Sequence, residues 1–343
     1  MTRSSASTQQ SCGLALVTGG GGFLGAAIVR QLLDAGWRVR TVSRGDYPAL
    51  REIGVETLRG DLADAGIAEQ AARGCDAVLH VAAKAGVWGR LADYRRANVD
   101  ATQRVIDACV ANRVARLVFT SSPSVVFSGD SVENGDESLP YPSHHHSHYS
   151  ATKAEAERIV LTANSAGLHV AALRPHLIWG PRDPHIVPRL IARARSGRLR
   201  RIGPGDNIVD TTYVENAALA HICALRAIHS NPKAAGRAYF ITNGEPMRLW
   251  NLIDQIIACA DLPPIRKSIS FSAATRIGGL LEGVYRLLRL PGEPPMTRFV
   301  ARELATSHFF DISAAKRELG YEPRVTIAEG LVRLKNWLRD QRP

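Results

Sequence analysis

Thr18-Gly19-Gly20-Gly21-Gly22-Phe23-Leu24-Gly25 is the stretch on which the fold turns. Before it, Leu14–Thr18 is a short apolar run, as expected of a buried strand. After it, Phe23–Ala35 carries Leu24, Ile28, Leu32 and Leu33 at helical spacing. Glycines between a strand and a helix let the backbone turn tightly and approach a pyrophosphate. The helix N-terminus that follows offers free N–H groups and a positive dipole end. Gly19, Gly22 and Gly25 are spaced G-x-x-G-x-x-G, one residue different from the common dinucleotide fingerprint. Placement between strand and helix, more than glycine content, makes the motif specific.

The alternation continues. Trp37–Ser43, Val55–Arg59, Ala77–Ala83, Leu117–Ser121 and His169–Leu173 are further strand candidates. Helical patterns lie between them, most clearly at Asn98–Ala111 and Ala151–Ala163. This predicts an α/β fold of Rossmann type, a doubly wound parallel sheet covered on both faces. Beyond about residue 175 the regularity fades, and Pro175, Pro181, Pro184 and Pro188 read as a loop region. Val214–Ile228, Ile277–Leu290 and Ile327–Leu338 read as helices, and Ala238–Thr242 as a strand. The division expected is a lead-in over 1–12, a dinucleotide-binding core over 13–175, and a smaller, mostly helical substrate-binding region over 176–343. Within that region, 205–245 is expected to return to the core.

The end of the second strand selects the dinucleotide. It reads Thr41-Val42-Ser43-Arg44-Gly45. An acidic residue there would accept the adenosine ribose hydroxyls and favour NAD. Arg44 instead pairs with a 2′-phosphate and Ser43 donates to it, favouring NADP (NADPH), although Asp46 lies close enough to keep NAD as the alternative. Asp61 follows the third strand, placed to meet the adenine amino group or to cap the next helix.

Tyr149 and Lys153 stand one helical turn apart, so both face the same way. A phenol near pKa ~10 exchanges protons poorly at neutral pH, and a lysine cation beside it stabilises the phenolate. Ser121 and Ser122 close the fifth strand, where a hydroxyl can reach a substrate carbonyl. Asn98, at the head of a long helix, is placed to orient the lysine through water. Ser121, Ser122 and Ser124 compete for the catalytic position, with Ser122 preferred.

Together these residues resemble the extended short-chain dehydrogenases/reductases. The resemblance rests on Thr18–Gly25, Gly60-Asp61-Leu62, His80-Val81-Ala82-Ala83, Asn98-Val99, Phe119-Thr120-Ser121-Ser122, Tyr149 with Lys153, and Leu173-Arg174-Pro175. Finer stretches are similar to the branch of 2-alkyl-3-oxoalkanoate reductases and 3β-hydroxysteroid dehydrogenases. They include Ala82–Gly89, Leu177-Ile178-Trp179-Gly180-Pro181 and Gly292–Phe299. The resemblance implies catalysis by Ser122, Tyr149 and Lys153. It implies cofactor contacts from Gly19, Gly22, Phe23, Leu24, Gly25, Ser43, Arg44, Asp61 and Leu62. Val81, Ala82, Ala83, Asn98, Tyr149, Lys153, Arg174 and Pro175 are implied to complete them. Lys84, Trp88, Ser124, His148, His176 and Trp179 are then expected near the substrate, a hydrophobic β-keto or β-hydroxy acid. A homodimer is expected, as is peripheral membrane or multi-enzyme association.

Composition narrows the rest. The 343 residues are 45% hydrophobic and 22% charged, which excludes a disordered or collagen-like chain. Net charge is +11, and 37 of the 43 basic residues are arginine. Eight arginines between residues 171 and 205 face one acid, Asp183, with no nucleic-acid motif beside them. They read as a solvated basic face or as a surface for an anionic substrate or an acidic partner, in preference to nucleic acid. Five cysteines without a C-x-x-C pair read as core residues of a reducing, cytoplasmic protein rather than metal ligands. His144, His145, His146 and His148 resemble a metal cluster but lack a carboxylate or cysteine at ligand spacing, so no metal is expected. Trp88 and Trp179 read either as core aromatics or as pocket lining. Ile277–Leu290 reads either as a core helix or as an interfacial one. No apolar run reaches the ~18 residues of a membrane span.

Overall fold

The structure is a computed structural model that describes residues 12–341. The expected lead-in therefore lies, except for Cys12, outside the described residues. Seven strands form the central sheet: β1 (Leu14–Thr18), β2 (Arg38–Ser43), β3 (Glu56–Arg59), β4 (Ala77–His80), β5 (Arg116–Thr120), β6 (His169–Pro175) and β7 (Arg237–Ile241). Their order is β7-β6-β5-β4-β1-β2-β3, and every pairing is parallel. Every residue of β1 and β4 is buried. That is why these strands read as continuous apolar runs instead of alternating ones.

Helices cover both faces. On one side lie α1 (Phe23–Asp34) and, from much later in the chain, Val214–Ser230. On the other lie Ile67–Ala72, α2 (Ala101–Ala111) and α3 (His148–Thr162). We label Val214–Ser230 α4, Phe271–Leu287 α5, Arg298–Glu303 α6 and Ile327–Asp340 α7. A third, smaller core joins Trp250, Ile253 and Ile257 to Ala274 of α5 and Ala301 of α6. A four-stranded sheet of short segments unites Val132–Gly135, Ile208–Val209, Met247–Arg248 and His308–Phe310.

Three segments depart from expectation for local reasons. The expected strand Ala77–Ala83 ends at His80. There the N–H groups of Val81 and Ala82 leave the ladder and donate to Thr18 Oγ1, each at 3.0 Å. The expected helix start at Asn98 is the middle of a longer run. Leu91–Tyr94 passes into a π-helical turn, Arg95–Asp100, before α2. The proline-rich loop contains a helix, Ile186–Arg195. The Asp183 carboxylate starts it by accepting from the N–H groups of His185, Ile186 and Val187. Pro188 sits in its first turn, where a missing N–H costs nothing.

The glycine turn explains how α1 comes so close to β1. Gly19 has φ +69°, a left-handed conformation that favours glycine. A Cβ on Gly25 would lie 2.2 Å from the Gly19 carbonyl oxygen. Gly25→Ala is therefore expected to push α1 off the strand and lower stability by about 1–3 kcal/mol. Urea unfolding of the cofactor-free protein checks this, and an unchanged midpoint would refute it.

Candidate active site

A cleft of about 640 Å³ opens at the carboxyl ends of β1, β2, β4, β5 and β6. The chain runs from β1 outward to β2 and β3, then crosses to β4 on the other side, so neighbouring connections diverge and leave a crevice. Thr18 Oγ1 ties its two walls together. It accepts the Val81 and Ala82 N–H groups and lies 2.8 Å from His80 Nδ1. With its lone pairs used by two amides, the hydroxyl gives its proton to Nδ1. His80 Nε2 therefore carries the ring proton and donates to Thr102 Oγ1 at 3.0 Å, and Thr102 donates to Asn98 O at 2.6 Å. Burial holds the His80 pKa down to about 3, which keeps the ring neutral.

Gly19, Gly22, Phe23, Leu24 and Gly25 line one side of the cleft. No side chain caps α1, and no acid occupies its first turn. The N–H groups of Gly19, Gly20 and Gly22 are spent on Val42 O, Thr41 Oγ1 and Gly19 O, so the donors left for an anion are those of the first turn of α1. Ser43, Arg44, Asp61 and Leu62 continue the wall. Arg44 is exposed at the rim, and Asp46 is turned to Arg51 in an ion pair of 2.5 Å. Asp61 accepts from Ala63 N at 3.0 Å, closing a local turn, whereas Gly66 is the N-cap of the following helix. Val81, Ala82, Ala83, Lys84 and Pro175 also line the cleft.

Ser122, Tyr149 and Lys153 meet on the same cleft. Ser147 caps α3 by accepting from Ser150 N, which starts the helix just before Tyr149. Lys153 is buried, donates to Thr120 O at 2.5 Å and sits 3.9 Å from the Phe119 ring centroid. Burial pushes its ammonium down to about 7, against an opposing pull from Glu157 one turn on. The Tyr149 phenol is pushed up by burial, and the hydrogen bond with Ser122 works against that rise. The expected lowering of the phenol by Lys153 is therefore not seen. The ammonium is engaged by Thr120, and burial of the phenolate dominates.

The three serines separate. Ser122 caps a short turn, Pro123–Val125, and lies 3.0 Å from Ser124 Oγ. Ser121 also lines the cleft, with a buried hydroxyl that has no hydrogen-bond partner among the described residues. Ser124 does not line it.

Several expected site residues lie elsewhere. Arg174 is buried, with Nε and Nη2 on the two Glu157 oxygens at 3.0 and 2.6 Å. A charge on a core strand needs such a partner, so its fork faces α3 and not the cleft. His176 is buried between Asp210 at 2.7 Å and His308 at 3.1 Å. Trp179 is buried edge-on against Tyr213, its indole donating to Thr211. Its neighbour Ile178 lines the cleft instead, because successive strand residues point to opposite faces. Trp88 lies edge-on to Tyr285, ring centroids 6.5 Å apart, outside the lining. His148 is exposed, 6.3 Å from the Tyr94 ring. Asn98 is buried behind the wall and holds Lys84 N at 2.7 Å and Thr152 Oγ1 at 3.1 Å, without contact to Lys153.

Sequence reasoning missed Tyr47, Leu177, Asp183, His185 and Ile186, which also line the cleft. Leu177 bends the chain there with φ +42°, a strained conformation for leucine. Among the described residues, no group of three or more His, Cys, Asp or Glu is arranged to hold a metal ion. All five cysteines are free thiols.

The sequence model described as the 3-beta hydroxysteroid dehydrogenase/isomerase family matches residues 16–271. The chain is 51% identical over 322 residues to the 2-alkyl-3-oxoalkanoate reductase of Stenotrophomonas maltophilia (strain K279a), covering 93% of this chain and 98% of that one. It is 47% identical over 329 residues to the 2-alkyl-3-oxoalkanoate reductase of Shewanella oneidensis, covering 94% of this chain and 85% of that one. Among solved structures it is similar to MoeE5 in complex with UDP-glucose and NAD, with a TM-score of 0.72 and 27% identity over 96% of this chain and 99% of that one.

The Lys153 shift has a consequence for stability. Between about pH 7 and 10.5 the unfolded chain holds a proton on Lys153 that the folded, cofactor-free chain does not. Stability at this position therefore rises with pH across that window. The unfolding free energy of the wild type relative to Lys153→Met is expected to climb through it and level off on either side. A difference that stays flat across the window would overturn the assignment.

Proposed function

Because the chain belongs to the 3-beta hydroxysteroid dehydrogenase/isomerase family, we propose that it reduces the 3-keto group of a 2-alkyl-3-oxoalkanoate to the 2-alkyl-3-hydroxyalkanoate with NADPH. It is an oxidoreductase that uses a nicotinamide cofactor. The observation that carries the proposal is that Ser122, Tyr149 and Lys153 share one cleft with the glycine turn. The two relatives' names support the substrate.

Bound NADPH supplies the hydride. The uncapped N-terminus of α1 would hold its pyrophosphate, Asp61 its adenine, and Lys153 its nicotinamide ribose. Arg44 and Ser43 would hold the 2′-phosphate, with Asp46 already neutralised by Arg51. Ser122 and Tyr149 donate hydrogen bonds to the substrate's carbonyl oxygen and stabilise the charge that develops there. Tyr149 then gives that oxygen its phenolic proton. The raised phenol suits the reductive direction, because the group starts protonated at neutral pH. Leu177, Ile178 and Ile186 offer apolar surface to the alkyl chains. Lys84, on the same cleft, offers a positive partner to the carboxylate, and the His185 ring offers a hydrogen bond.

A second reading is oxidation of a 3β-hydroxysteroid or sterol with NAD, of which the family description supports the hydroxysteroid. Relative kcat/KM on a 2-alkyl-3-oxo acid with NADPH and on a sterol with NAD separates the two.

Tyr149→Phe is expected to cost roughly 10²–10⁴ in kcat while NADPH affinity, read by fluorescence titration, is kept. Retained turnover would overturn the proton assignment. Arg44→Ala is expected to raise KM for NADPH about tenfold or more with NADH turnover unchanged. An equal loss with both cofactors would refute the 2′-phosphate role.

A further inference from the structure

Helix α5 is amphipathic in the reverse sense for a helix of a folded chain. The stripe it turns inward is Ala274, Gly278 and Glu282. Glu282 accepts from Arg298 N at 2.7 Å and from Arg298 Nε at 2.9 Å. Gly278 is pressed so close to α6 that a Cβ would lie 2.7 Å from Thr297 C. These contacts lock the rotation of the helix. Its apolar residues are thereby held outward.

Ile277, Leu280, Val284, Leu287 and Leu288 form one continuous outward stripe, at spacings of three, four, three and one residues. Leu280 is 70% exposed, Leu287 82% and Leu288 62%. Isolated exposed leucines need no explanation, but a contiguous stripe does. Arg276 and Arg289 flank it, and both are exposed. Glu282, the only carboxylate on α5, is turned inward. Just before the helix, Arg266 and Lys267 are exposed on the segment whose strand Ser268–Ile269 pairs with Arg201–Ile202. Exposed Arg198 and Arg200 lie on the partner segment. None of these six cations has an ion-pair partner among the described residues.

We propose that the outward face of α5 and the basic ribbon beside it dock on a bilayer that contains anionic phospholipid. The apolar stripe would lie at the boundary of headgroups and acyl chains, with the arginines among the phosphates. Helix α5 turns arginines outward and its one carboxylate inward, which matches a negatively charged surface. A second copy of this face would instead bring like charges together. No helix among the described residues is long and apolar enough to cross a membrane, so α5 lies on the surface and does not span it.

The position of α5 relative to the cleft adds a reason. Tyr285 meets the Trp88 ring edge-on, and the Arg286 guanidinium lies 5.8 Å from that ring's centroid. Trp88 belongs to the segment whose beginning, Lys84 and Ala85, lines the cleft. A docked α5 would hold the substrate end of the cleft against the lipid.

Vesicle flotation tests the proposal without turnover, so its outcome is separate from that of the substrate assignment. The wild-type protein is expected to float with vesicles of equal parts phosphatidylglycerol and phosphatidylcholine, and much less with phosphatidylcholine alone. The double substitution Leu280→Asp/Leu287→Asp is expected to weaken partitioning at least roughly a hundredfold. Arg276→Glu/Arg289→Glu is expected to weaken it about tenfold or more on anionic vesicles. Thermal unfolding of each variant, with and without NADPH, shows that the fold is kept. Three results would overturn the proposal: wild-type protein that stays with the aqueous phase, partitioning unchanged by Leu280→Asp/Leu287→Asp, or wild-type oligomers that bind no vesicles and that this variant dissociates.

Discussion

The Thr18 hydroxyl is the constraint on which the site depends. It sits at the tip of β1, where β1 and β4 part, and takes up the first two N–H groups that leave β4. A backbone N–H left unpaired at that depth costs about 1–3 kcal/mol, so the hydroxyl is what allows the crevice to open. The same oxygen starts a chain of hydrogen bonds through His80 and Thr102 to Asn98. Asn98 then grips Lys84 on the cleft wall and Thr152 on the helix that carries Tyr149 and Lys153. The nucleotide side and the reacting side are thus held by one buried network, each member of which has a partner. The π-helical turn at Arg95–Asp100 is the local irregularity that accompanies Asn98 in this place.

Electrostatics follows from burial. Lys153 is buried and Tyr149 is half-buried in the cleft wall, and each is driven toward its neutral form. The phenol starts protonated and the ammonium gives up its proton near neutrality. Behind them Glu157 is fully buried and is held by Arg174 and by the Tyr141 hydroxyl at 2.6 Å. This ion pair fastens β6 to α3 from within. Removing one partner would leave a charge stranded in the core, which is far more costly than the pair itself.

The basic balance of the chain divides among several tasks. Arg174 belongs to the core, Arg189 meets Glu293, and Arg201 meets Asp254. Arg44 lies at the cleft rim, and Arg266, Lys267, Arg276 and Arg289 are exposed on α5 and the segment before it. A run of arginines in sequence is therefore not one patch in space. The helix Ile186–Arg195 and the ribbon after it distribute the run over different faces.

The parallel sheet, the alternation of its strands with helices and the glycine turn were legible in the sequence, because each follows from local rules. Apolar runs bury both faces, helical spacing covers them, and glycine alone fits the turn. Tyr149 and Lys153 were legible for the same reason, since one helical turn forces them to one side. What sequence reasoning could not settle was which way a side chain faces once several elements compete for it. Trp179 and Ile178 are adjacent on one short strand, and only the packing of Tyr213 decides that the tryptophan goes inward. Arg174 and His176 sit in a motif beside the cleft, yet Glu157, Asp210 and His308 capture them from distant segments. The four-stranded sheet and the outward turn of α5 likewise depend on partners more than a dozen residues away. Local sequence determines what a segment can form. Tertiary structure decides which of its faces is covered, because burial and charge pairing are set by whichever group arrives opposite.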